Sequence, residues 1–183
     1  MSASSTPMRW HRSVQWLHWL SVLLILAVAT MGLIMVDLPR GDATRTLLYA
    51  THKSLGVTLL FVVALRLASR CFTTAPEPVS GPAWQQRLAN ATHALMYLLM
   101  LAIPLSGWLL NSVAGQALPW FGLFTLPAIA PKTPEWRATL DVAHVALFWS
   151  LVVVVMMHVM AVLHHQFGRR DRVLQRMLPL RRA

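Results

Sequence analysis

Acidic residues are scarce in this chain: six Asp and Glu stand against sixteen Lys and Arg, and charged residues of both signs make up only 12% of 183 positions. A soluble domain carries about a quarter charged residues, so 12% charge with 56% hydrophobic residues and a positive mean hydropathy excludes an ordinary soluble fold. Cysteine is nearly absent. Cys71 alone cannot close an intrachain disulfide, and no C-x-x-C-H occurs to attach a c-type haem. No internal repeat is seen. The N-terminus lacks the short apolar core and small-residue cleavage site of a signal peptide, so the first apolar run is read as a membrane span.

What the sequence does have is four long apolar runs, at about 13–36, 46–69, 88–111 and 138–165. Each has the 20 or so residues a helix needs to cross about 30 Å of hydrocarbon. The expected fold is all-α: a transmembrane four-helix bundle forming a single domain over 1–183, set in a lipid bilayer. So little chain lies outside the spans that no soluble nucleic-acid-reading module fits, and nucleic-acid binding is set aside. The net charge of +10 is instead a topology signal. Arg9, Arg12, Arg66, Arg70, Arg87, Arg169, Arg170, Arg172, Arg176, Arg181 and Arg182 collect on one side. Arg40, Arg45, Lys53, Lys132 and Arg137 lie on the other, nearly matched by Asp37, Asp42, Glu135 and Asp141. By the positive-inside rule both termini are expected in the cytoplasm.

Prolines mark two connections, EPVSGP and LPWFGLFTLPAIAPKTP. The second is too apolar to extend into water and is expected to lie over the outer mouth of the bundle. Pro104 falls inside the third run, where a proline removes a backbone donor and predicts a kink.

The stretch AHVALFWSLVVVVMMHVMAVLHHQ carries four histidines in an otherwise apolar span. Each would be costly in lipid without a partner. His144 and His158 are 14 residues apart, almost four whole turns, so they share one helix face about 21 Å apart along the axis. His165 continues that stripe, whereas His164 points elsewhere and is read as a headgroup residue. Each other span has one histidine near an end: His18, His52 and His93. By depth, His52 meets His144 at the outer leaflet. His18 and His93 both lie at the depth of His158 and His165, and depth alone leaves that choice open. Imidazoles four turns apart cannot share one metal ion, and no carboxylate lies at ligand depth. Two planar cofactors, each clamped by two imidazoles, use the spacing naturally, with Gly32, Gly56 and Gly107 leaving room for a macrocycle.

The order of several short motifs resembles the bacterial cytochrome b561 family of di-haem membrane proteins, which includes superoxide oxidase. They are W-L-H-W-L in span one, the early His52 and late L-R-L-A-S-R of span two, and H-A-L-M-Y-L-L-M-L-A-I-P-L-S-G-W in span three. P-W-F-G-L in the outer loop and H-x13-H followed by R-M-L-P complete the set. The resemblance covers nearly the whole chain and implies two haem b. It assigns His52 with His144 as axial ligands of the outer haem iron and His18 with His158 for the inner one. His93 and His165 are left unliganded beside the inner haem. The family often has two adjacent histidines where this chain has His165 and Gln166.

Two imidazoles per iron leave no open position, which favours outer-sphere electron transfer over oxygen activation at the metal. The resemblance implies ubiquinone as acceptor at the cytoplasmic end, where His93 and His165 are candidates for quinone contact and proton relay. Two donors fit. In one, superoxide gives its electron at the outer face, steered by Lys53, Arg45 and Arg137, and the chain is a superoxide:quinone oxidoreductase. In the other it is an electron-transfer subunit fed by a partner dehydrogenase or periplasmic redox protein.

Overall fold

The computed structural model describes residues 9–79 and 81–179. Four long helices run Arg12–Asp37 (α1), Ala43–Cys71 (α2), Ala83–Val113 (α3) and Arg137–Leu163 (α4). All four are long and apolar enough to cross a membrane. Helix is what such runs must form in lipid, because only a helix or a closed barrel satisfies every backbone N–H and C=O without water. Polar side chains within the spans follow the same rule. Ser21, Thr51, Ser54, Thr58, Ser112 and Ser150 each donate a hydroxyl to the carbonyl four residues earlier.

Helices consecutive in the chain are neighbours: α1 packs on α2, α2 on α3, and α3 on α4. Leu59, Val63, Leu99, Met100, Leu151 and Val154 form the central core, with Leu24 and Ile25 of α1 against it. Many large side chains, such as Leu23, Phe61, Leu98 and Val153, remain exposed on the outer faces. That is expected where lipid is the solvent and helices associate through packing and polar contacts. Asp42 caps α2 by accepting from the Arg45 N–H at 3.0 Å. Helix α3 continues through the buried Pro104.

The long connection after α3 is folded onto the bundle. Leu118–Trp120 (β1) and Phe124–Leu126 (β2) pair as an antiparallel hairpin. Its turn places Phe121 and Gly122 at positive φ, 49° and 74°, the backbone a type I′ turn requires. The Trp120 indole donates to Thr58 Oγ1 at 3.1 Å, the Phe121 N–H to Ser54 Oγ at 3.0 Å, and the Trp108 indole to the Pro127 carbonyl at 2.9 Å. Val57, Leu118 and Leu126 are buried together between hairpin and helix. This connection therefore covers the end of the bundle that carries His52 and His144.

At the opposite end, α4 widens into a π-helical turn over His164–Arg169 and a short 3-10 turn follows at Val173–Arg176. The chain then returns across the start of α1. Carbonyls of Gln175, Arg176, Met177 and Leu178 accept from Arg9, Gln15 and the Trp19 indole, and Arg176 donates to the Glu77 carbonyl. The R-M-L-P segment is thus a strap tying the last turn to α1 and to the α2–α3 connection.

Candidate functional site

Histidines gather at two levels. At the hairpin end, His52 of α2 and His144 of α4 face each other with ring centroids 6.4 Å apart. His52 Nδ1 lies 3.0 Å from the Val28 carbonyl of α1. His144 Nδ1 lies 2.8 Å from Ser106 Oγ of α3, whose hydroxyl also reaches the Ile103 carbonyl at 2.7 Å. All four helices therefore build this level: two supply rings, two orient them. With each Nδ1 engaged, each Nε2 is left for another partner, the arrangement expected of a ligand histidine with an oriented second nitrogen.

The glycines of α1 and α3 belong to the same geometry. A Cβ at Gly32 would stand 3.1 Å from His52 Cε1, and one at Gly107 3.4 Å from His144 Cε1. The rings lie where larger residues would press on them. Gly56 has nothing within 4 Å of its missing Cβ and leaves space beside α2. Two metal–imidazole bonds of about 2 Å, with about 1 Å from nitrogen to ring centre on each side, span about 6 Å. The His52–His144 pair therefore fits an iron between its rings.

At the terminal end, His93 and His158 are in edge contact with centroids 5.4 Å apart. His18 is within electrostatic reach of both, and its Nδ1 is buried without a hydrogen-bond partner. A ring nitrogen in that state is open to a further bond. Sequence depth left His18 and His93 equivalent, and the structure separates them by contact: His93 touches His158 directly, while His18 keeps the orphaned nitrogen. Among the described residues, no three His, Cys, Asp or Glu side chains are gathered as a cage for a single ion.

His165 is turned to Asp171, its Nδ1 2.7 Å from the carboxylate, and Arg169 reaches the same oxygen at 3.5 Å. His164 is exposed. At the hairpin end, Lys53 reaches Gln116 Oε1 at 3.4 Å and lies within electrostatic reach of Arg137, whereas Arg45 stacks over Tyr49 at 5.4 Å.

A profile of the family described as prokaryotic cytochrome b561 matches residues 9–180. The chain belongs to this family. It is 33% identical over 179 residues to cytochrome b561 homolog 2 of Escherichia coli, covering 97% of this chain and 95% of that one. Cytochrome b561 homolog 1 of the same organism is 27% identical over 177 residues, covering 95% and 99%. A probable superoxide oxidase, CybB, of Yersinia pestis is 29% identical over 171 residues, covering 91% and 94%. Membership makes this a multi-pass membrane protein of electron transfer that binds haem b.

Contacts that sequence reasoning missed now stand beside the histidines. Ser106 and the Val28 carbonyl orient the rings, and Asp171 partners His165. A stack of Arg66, Tyr97 and Arg70 lies at the level of His18 and His158. Ser106 and Gly107 are adjacent in the S-G pair of span three, the one such signal the sequence offered.

Proposed function

We propose that the chain holds two haem b, one between His52 and His144 and one between His18 and His158, and carries electrons across the bacterial inner membrane from superoxide to ubiquinone. The single observation that carries this reading is the facing pair His52–His144, set four turns of α4 away from the second histidine level. When bound, haem b would supply a one-electron couple suited to outer-sphere transfer. His52 and His144 are held for that role by Val28 and Ser106, while His18 and His158 serve the other level.

The arginine-rich end, with both termini, faces the cytoplasm. In the balanced reaction two superoxide anions each lose one electron and leave as oxygen, and one ubiquinone gains two electrons and two protons. The chain's own groups would bring the anion to the hairpin end through the field of Lys53 and Arg137, with Arg45 farther out. Protons would reach the quinone beside the terminal end through His165, paired with Asp171, and His93. An imidazole suits such a relay because one ring nitrogen can take up a proton while the other releases one.

The test mixes purified chain, with no partner protein, with a superoxide generator and then with ubiquinone. Rapid haem reduction followed by quinone-dependent reoxidation is expected. Haem that stays oxidised under superoxide overturns the superoxide assignment and leaves a cytochrome fed by a dehydrogenase or periplasmic redox protein.

A further inference from the structure

Arg66 is only 9% exposed, although it lies inside a helix long and apolar enough to span a membrane. It follows His52 on α2 by fourteen residues, the same interval that separates His144 from His158 on α4. Four turns return almost to the same face, so where α4 repeats its histidine, α2 carries a guanidinium. Arg66 is within electrostatic reach of His18, His93 and His158. It stacks over Tyr97 at 5.1 Å. Arg70 lies 5.9 Å from the same ring and 5.0 Å from that of Trp10.

Among the described residues, no carboxylate is paired with this cation. The ion pairs among the described residues both centre on Asp171 and involve His165 and Arg169. Arg66 Nε and Tyr97 Oη are buried without hydrogen-bond partners. A buried charge left unpaired is strongly unfavourable, and a buried unsatisfied donor adds to the cost. Stacking on Tyr97 offsets part of this but leaves the Nε–H, one of the guanidinium's in-plane donors, without a partner. The fixed fork of those donors matches a carboxylate, and haem b carries two propionate carboxylates.

We propose that Arg66, backed by Tyr97 and Arg70, receives a propionate of the haem held at His18 and His158. The assignment rests on the two-haem reading above. It also gives the L-R-L-A-S-R motif of α2 and the tyrosine of α3 a common purpose: they anchor the inner haem by its acidic edge while the histidines hold its iron.

The test refills haem-depleted full-length chain with haem b or with its dimethyl ester, in which both propionates are blocked, and follows the inner-site absorbance. Wild type should favour the free acid by about tenfold or more, the order expected for one charge-assisted hydrogen bond. Arg66→Met should take both forms equally, and Arg66→Lys should keep part of the preference. Wild-type indifference to esterification overturns the proposal, including the case where a lipid phosphate supplies the counter-anion. So does a preference retained in Arg66→Met, and if that variant also slows reoxidation by quinone, Arg66 serves the quinone instead. Should Arg66→Met not fold, the wild-type comparison with Arg66→Lys decides alone. A chain that takes up one haem per molecule defeats the two-haem reading itself, whereas two haems without an ester effect defeat only this assignment.

Discussion

His52 and His144 face each other at 6.4 Å between ring centroids, each with its Nδ1 engaged by a different third helix. His93 and His158 at the other level are a full ångström closer, at 5.4 Å, in direct edge contact. The wider pair has the separation that an iron held between two imidazoles would need.

Pyridine haemochrome measured against protein mass should return two haems per chain. His52→Ala and His144→Ala should lose the same haem, and His18→Ala and His158→Ala the other. Loss of the inner spectrum in His93→Ala, with His18→Ala unaffected, would reverse the inner assignment.

Ser106→Ala removes the hydroxyl that orients His144. Losing such an outer partner typically costs about 10- to 100-fold in metal affinity, so the outer haem should weaken by that order while the inner one is retained. Gly32→Val should do more, because even the Cβ would stand 3.1 Å from His52 Cε1. Haem titration followed at the outer absorbance reads both variants, and unchanged outer affinity would remove these residues from the site.

The His165–Asp171 pair predicts coupled behaviour in proton delivery. His165→Gln and Asp171→Asn should each slow haem reoxidation by ubiquinone by about tenfold or more, the double variant should be little worse than either, and both haem spectra should stay intact. His93→Gln should also slow reoxidation. Stopped-flow reoxidation at wild-type speed in all of them would return these residues to structural roles.

Haem reduction by superoxide should slow as salt rises, because steering fades over a Debye length of about 10 Å at 0.1 M. Lys53→Gln should lower the rate at low salt and flatten its salt dependence, with Arg137→Gln similar and Arg45→Gln weaker. A rate indifferent to salt in wild type and variants would leave these cations only as anchors of helix ends.

Much of this architecture could be read from residue order. The four runs at about 13–36, 46–69, 88–111 and 138–165 lie in the four helices, although α3 begins five residues earlier, at Ala83, and α4 gives way to a π-helical turn after Leu163. The apolar connection was expected over the bundle mouth, and its hairpin is seated there on Ser54 and Thr58. The pairing of His52 with His144 was legible because both lie near the same ends of their spans. The role of Ser106 was not, since a serine in a span usually bonds its own helix, and only the approach of α4 makes it a partner of His144.

Composition and periodicity by themselves determined the spans and the two histidine levels. In lipid the backbone must satisfy itself within each segment, so a contiguous apolar run settles its own secondary structure and length, and 14 residues of helix settle the separation of His144 from His158. Rotation of one helix against another is not a local property. Close packing between helices decided that His93 touches His158 while His18 keeps an open nitrogen. It also decided that Arg66 stacks on Tyr97 with its Nε unpartnered, and that residues 175–178 strap back over α1.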